Sequence, residues 1–181
     1  MIGNIVAGTL SAGAPPVAPS SYESIATVTV GSGGSSSIDF TSIPSTYKHL
    51  QLRIMANANA SNRICIAYNS DTNTSNYNSH YIEGNGSVAY SGNVTGVVGN
   101  TFYTTGSTYP FVSIVDILDY ANTNKYKVQR ALSGDDTNGG GKVSFYSSLW
   151  LNTNAINNLN ITVTSSSFKQ YSSFALYGIK D

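Results

Sequence analysis

The segment Leu50-Gln51-Leu52-Arg53-Ile54-Met55-Ala56-Asn57 decides the fold class. Leu50, Leu52, Ile54 and Ala56 alternate with Gln51, Arg53, Met55 and Asn57. Successive side chains of a strand point to opposite faces, so this period of two marks a half-buried β-strand. The same period sets Ala26, Val28 and Val30 against Ile25, Thr27 and Thr29, as far as the loop Gly31-Ser32-Gly33-Gly34-Ser35. It resumes at Ile38-Asp39-Phe40, and again at Ile64, Ile66 and Tyr68 beyond the turn near Asn59-Ala60-Ser61. Further strands are expected over 111–120, 125–132, 143–151, 158–164 and 173–179, separated by turns rich in Asn, Asp and Gly. The polar stretch 70–109 is expected to hold at most a short helix over 75–83 and a short strand near 88–90. No helical pattern is long enough to cover a parallel sheet. The chain therefore reads as all-β: an antiparallel, jelly-roll-like β-sandwich of about eight strands over residues 21–181, behind an extended arm, residues 1–20.

The arm carries Pro15, Pro16 and Pro19 and no charged side chain. Proline fixes φ and pushes the preceding residue out of the helical region, so Ala14 to Pro19 must be extended. Such an arm has no core of its own and orders only against another surface. It is expected to dock on a neighbouring chain, with Ile2, Ile5, Val6 and Leu10 as anchors and Pro15 and Pro16 as a stiff spacer. The opening MIGNIVAGTL has no basic flank and too short an apolar run for a signal peptide, so secretion is not expected.

Composition narrows the function. The 181 residues carry nine Lys and Arg against nine Asp and Glu, a formal net charge of zero. Charged residues make up 10%, well below the roughly 25% usual in soluble domains. Polarity comes instead from 27 Ser, 17 Thr and 19 Asn. With no basic excess to release counterions, neither nucleic acid nor an anionic membrane surface is an expected partner. No apolar run approaches the roughly 20 residues of a membrane span. A neutral, charge-poor surface gives little colloidal repulsion, which suits a protein that works inside an assembly.

Catalytic chemistry is hard to place. Cys65 is the one cysteine and sits in the apolar run Ile64-Cys65-Ile66-Ala67, so it reads as a buried thiol rather than a nucleophile. Neither His49 nor His80 stands beside a nucleophile elbow. Glu23, Glu83, Asp116 and Asp119 are the candidate acids, but Asp116 and Asp119 have opposite strand parity and cannot pair on one face. The Asp71-Thr72-Asn73-Thr74-Ser75 opening of a calcium loop breaks down at Asn76 and Ile82, where glycine and glutamate are required. No enzyme activity, metal or cofactor is expected. Tyr77, Tyr81, Tyr90 and Tyr103 crowd the polar middle segment among many Asn and are candidate glycan contacts, since aromatic rings stack on sugar faces. On the strand 111–118 both faces are mostly apolar; Phe111, Val115 and Ile117 are taken as a subunit interface, with a homotrimer expected.

Tyr22-Glu23-Ser24-Ile25-Ala26-Thr27-Val28-Thr29-Val30, the Gly/Ser loop, and then Ile38-Asp39-Phe40-Thr41-Ser42-Ile43-Pro44-Ser45-Thr46-Tyr47-Lys48-His49-Leu50 resemble the start of small virion structural proteins of tailed bacteriophages. Phe174-Ala175-Leu176-Tyr177-Gly178-Ile179 resembles their close. The resemblance implies a virion component with no catalytic motif to carry over. Its expected form is a capsid cement (decoration) protein on the outer surface of the particle. There the arm would bind the major capsid protein or another virion protein and the β-domain would trimerise. The alternative it leaves open is a tail or head fibre module that binds a host-surface glycan.

Overall fold

The computed structural model describes residues 21–106 and 108–180, and the arm with its anchors lies outside them. Apart from one 3-10 turn at Thr74–Asn76, the regular structure of the described residues is all strand. In chain order the strands are β1 (Tyr22–Thr29), β2 (Ser37–Phe40), β3 (His49–Ala56), β4 (Asn62–Tyr68), β5 (Tyr77–Gly84) and β6 (Ala89–Val94). Then come β7 (Gly99–Thr104), β8 (Phe111–Leu118), β9 (Lys127–Asp136), β10 (Gly141–Trp150), β11 (Leu159–Val163) and β12 (Ser173–Ile179). They form two antiparallel sheets, ordered β1-β12-β3-β8-β9-β10-β5-β6 and β2-β11-β4-β7.

Those orders are a jelly roll with two insertions. Strands β1, β12, β3 and β8 face β2, β11, β4 and β7, and every step of that path except β4 to β7 crosses between the sheets. The hairpins β5–β6 and β9–β10 extend the larger sheet beyond β8. The all-β sandwich expected from the sequence is observed, with twelve strands rather than about eight; eight of them make the roll.

One core fills the space between the sheets. Leu50, Leu52, Ile54 and Ala56 of β3 point into it, as their alternation requires, and meet Ile64 and Ile66 of β4, Ile161 of β11 and Phe174 and Leu176 of β12. The rings of Phe168 and Phe174 pack edge to face at 4.8 Å. Cys65 is buried as expected, and burial pushes its thiol up to about 11, far from a reactive thiolate.

Two expectations for the segment 70–109 are corrected. Residues 75–83 are not a helix; all but the first two lie in strand β5, which pairs with β10 from Tyr77–Trp150 to Gly84–Val143. The short strand near 88–90 is the longer β6, and β7 was not expected at all. Both differences have the same physical cause. The inward positions of β5 include Ser79, and those of β7 include Asn100 and Thr104, so neither shows an apolar face. Their polarity is satisfied across the sandwich. Ser79 Oγ and Ser148 Oγ hydrogen-bond at 2.7 Å, Ser148 Oγ donates to Asn100 O at 2.7 Å, and Ser133 Oγ donates to Thr101 O at 3.1 Å. β7 is the edge of the smaller sheet, so these hydroxyls from β9 and β10 cap carbonyls that β4 leaves open.

Gly178 on β12 exists for a ring. A Cβ there would lie 2.3 Å from Tyr47 Cγ, near the base of the side chain, which cannot swing clear as a flexible tip can. Gly178→Ala is therefore expected to cost about 1–3 kcal/mol through overpacking. Equilibrium urea unfolding reads that loss as a lower midpoint at unchanged slope.

Candidate interaction surface

The register of the larger sheet decides which side chains share its outer face. Cross-strand pairing aligns Met55, Val112, Gly134, Val143 and Gly84 in one row across β3, β8, β9, β10 and β5. The next row is Arg53, Ile114, Leu132, Phe145 and Ile82, ending at Ser91 of β6. The third is polar: Gln51, Asp116, Arg130, Ser147, His80 and Asn93. Antiparallel sheets with one solvated face ordinarily place polar residues outward. Here Met55, Val112, Ile114, Leu132, Val143, Phe145 and Ile82 face outward, each 39–62% exposed. Together they form one contiguous, largely apolar band across five strands, the kind of exposed patch that marks an interaction site.

The surface is not flat. Gly84 and Gly134 contribute no side chain, and a shallow depression of about 490 Å³ lies among Ile82, Leu132, Val143, Phe145, Ala89 and Tyr90. A more open one of about 780 Å³ adjoins it between Tyr109, Pro110, Val112 and the Gly139-Gly140-Gly141 turn. The polar row beside the apolar rows is lightly tied. Asp116 Oδ1 accepts from Gln51 Nε2 at 2.8 Å, and Gln51 Oε1 accepts from Arg53 Nε at 2.8 Å. Arg130 stands directly across from Asp116, and among the described residues its guanidinium has neither a hydrogen-bond nor an ion-pair partner. Asn93 Nδ2 lies 3.0 Å from His80 Nε2.

The interface expected on Phe111, Val115 and Ile117 is corrected. All three are 1% exposed or less and belong to the core between the sheets. The expected alternation of β8 is present, but its open side is the opposite one, Val112, Ile114 and Leu118. Ile2, Ile5, Val6, Leu10, Pro15 and Pro16 lie outside the described residues.

The four tyrosines do not form one glycan site. Tyr77 is buried; its hydroxyl donates to Asp71 O at 3.0 Å and accepts from Tyr68 N at 3.1 Å, so no sugar can reach it. Tyr81 is half-buried and stacks on Tyr146 at 5.2 Å. Tyr90 and Tyr103 are exposed but belong to β6 and β7, edge strands of different sheets. Tyr103 has the Lys142 ammonium 5.1 Å and the Arg63 guanidinium 5.4 Å from its ring centre. The candidate acids are also engaged. Glu83 Oε2 pairs with Lys142 Nζ at 3.2 Å and accepts from Ser144 Oγ at the same distance. Asp119 sits in the turn after β8 beside Lys125, Lys48 and His49. The Lys125 hydrogen bond, followed by the nearby positive charges, holds its carboxyl below the ordinary value against the effect of burial. Among the described residues no three His, Cys, Asp or Glu side chains gather to hold a metal, and no helix is long and apolar enough to cross a membrane.

No family model, curated protein or solved structure gave a significant match to the chain.

Proposed function

We propose that the chain is a structural protein of a tailed-bacteriophage particle and that it acts through surface contacts rather than turnover. The observation that carries this reading is the apolar outer face of the larger sheet, a surface that water disfavours and a partner would cover. Two features support it: the resemblance over residues 22–50 and 174–179, and the charge-poor composition. A jelly roll serves capsid proteins, lectins and enzymes alike, so the fold alone does not choose among them.

Within this reading the chain is a cement protein on the outer shell, with residues 1–20 as the tether to a coat subunit. Self-association belongs to the open face of β8, not to Phe111, Val115 and Ile117. The test is to purify particles of the encoding virus, quantify the chain by mass spectrometry and locate it by electron microscopy. High copy number over the shell is expected. A few copies at the tail, together with retention on a host polysaccharide column, would select the fibre reading instead. Absence from purified particles would refute both.

A further inference from the structure

We infer that the outer face of the larger sheet is a two-fold interface, and that its occupant is the same face of a second copy of this chain. The inference rests on reading that face as an assembly surface.

The first argument is shape. A partner for a twisted, right-handed sheet must itself be twisted in the same sense, since stacked sheets keep their strands within about 30° of each other. A second copy meets that condition automatically. Extent is the second argument: the two apolar rows and the polar row run unbroken across β3, β8, β9, β10 and β5, as face-to-face packing of two sheets requires.

The register supplies the third argument. Consider a two-fold axis running along the strands midway between β8 and β9. A residue on β8 then faces the β9 residue that stands beside it in its own sheet, contributed by the other copy. The pairs are known from the register: Val112 with Gly134, Ile114 with Leu132, and Asp116 with Arg130. Each is complementary. Val112 projects over a position without a side chain. Ile114 and Leu132 are both exposed apolar side chains. The Asp116 carboxylate meets Arg130, a guanidinium with no partner among the described residues of its own chain. Two-fold symmetry makes each of these contacts twice, which is how an isologous interface works. A three-fold arrangement has no such self-matching row.

Sedimentation of the full chain across a concentration series tests the inference. The wild type is expected at the mass of two chains. Ile114→Glu and Leu132→Glu change exposed side chains only, so each should keep the wild-type β-sheet circular dichroism and a cooperative melt, its midpoint lowered only by the lost dimer linkage. Each should also raise the dissociation constant about 100-fold by placing a charge in an apolar contact. Asp116→Arg and Arg130→Asp should each weaken association about 10-fold, and the double exchange should restore it to within about 3-fold of wild type. A single chain at about 100 μM overturns the inference, whether the face is then open or covered by residues 1–20 of the same molecule. A mass of three chains, or a double exchange as weak as the singles, overturns the two-fold register. The two proposals fail separately. A dimer absent from particles would refute the virion assignment alone, and a monomer found on particles would refute this interface alone.

Discussion

Trp150→Ala is expected to lower the free energy of unfolding by about 3–5 kcal/mol, the range for removing a large aromatic side chain from a packed core. Trp150 is the last residue of β10, 1% exposed, with its ring centre 5.4 Å from Tyr68 and 6.4 Å from Tyr77. It also makes the contact that orders the segment before β5: Trp150 Nε1 donates to Asp71 Oδ2 at 2.7 Å. The same carboxylate accepts from Asn76 Nδ2 at 2.8 Å and from Asn73 N at 3.0 Å. Burial alone would raise the Asp71 pKa, but the three hydrogen bonds, that from Trp150 first, outweigh it and hold the carboxyl below its ordinary value. A carboxyl depressed in the folded state contributes stability above its unfolded pKa, near 3.9, and that contribution is lost as pH falls through the folded value. Trp150→Phe separates packing from hydrogen bonding. It keeps most of the ring volume and should cost about 1–2 kcal/mol at neutral pH. That deficit should shrink as pH is lowered below about 4. Chemical denaturation at pH 7 and pH 3 measures both; a deficit independent of pH would show that the Asp71 bond contributes nothing.

Tyr77 illustrates how much of the site was legible in the sequence. Its neighbourhood, crowded with Tyr and Asn, looked like a recognition loop, yet the structure uses Tyr77 to bond Tyr68 N and Asp71 O beneath Trp150. Clustering along the chain told nothing about clustering in space, because β5, β6 and β7 carry these tyrosines to edges of two different sheets and into the core. Strands whose buried side is aliphatic, such as β3 with Leu50, Leu52 and Ile54, were readable at once. β7 was not, since Asn100, Thr101 and Thr104 are buried there against hydroxyls and amides that only the folded chain brings near.

The open face of β8 shows a second limit. Parity separates Phe111, Ser113, Val115 and Ile117 from Val112, Ile114, Asp116 and Leu118, but does not say which set is inside. The register does. Leu50, Leu52, Ile54 and Ala56 stand opposite Ile117, Val115, Ser113 and Phe111, so those four share the core side with β3. The remaining apolar residues gain significance only when the outer residues of β9, β10 and β5 extend the band across the sheet. A surface assembled from the consecutive strands β8, β9 and β10 together with the remote β3 and β5 leaves no local signature.

Lys127→Met is expected to destabilise the fold by about 2–4 kcal/mol, although the substitution would ordinarily look harmless in a strand. Lys127 opens β9 on its inward side, directly across from Trp150, and is completely buried. Its ammonium donates to three backbone carbonyls: Asn122 O at 2.5 Å, Lys125 O at 3.0 Å and Thr153 O at 2.9 Å. The first two belong to the turn before β9 and the third to the turn after β10, so one side chain ties together the segments that enter and leave the open end of the β9–β10 hairpin. Methionine fills nearly the same volume and removes all three donors. The loss of three charge-assisted bonds exceeds what is recovered by no longer burying a charge. Lys127→Arg should fail too, because a planar guanidinium cannot converge on three acceptors that an ammonium satisfies. Hydrogen exchange localises the effect: amides of β9 and β10 nearest Lys127 should lose protection before those of β3 and β12. Melting unchanged in Lys127→Met would mean that water reaches the three carbonyls and that the buried ammonium is dispensable.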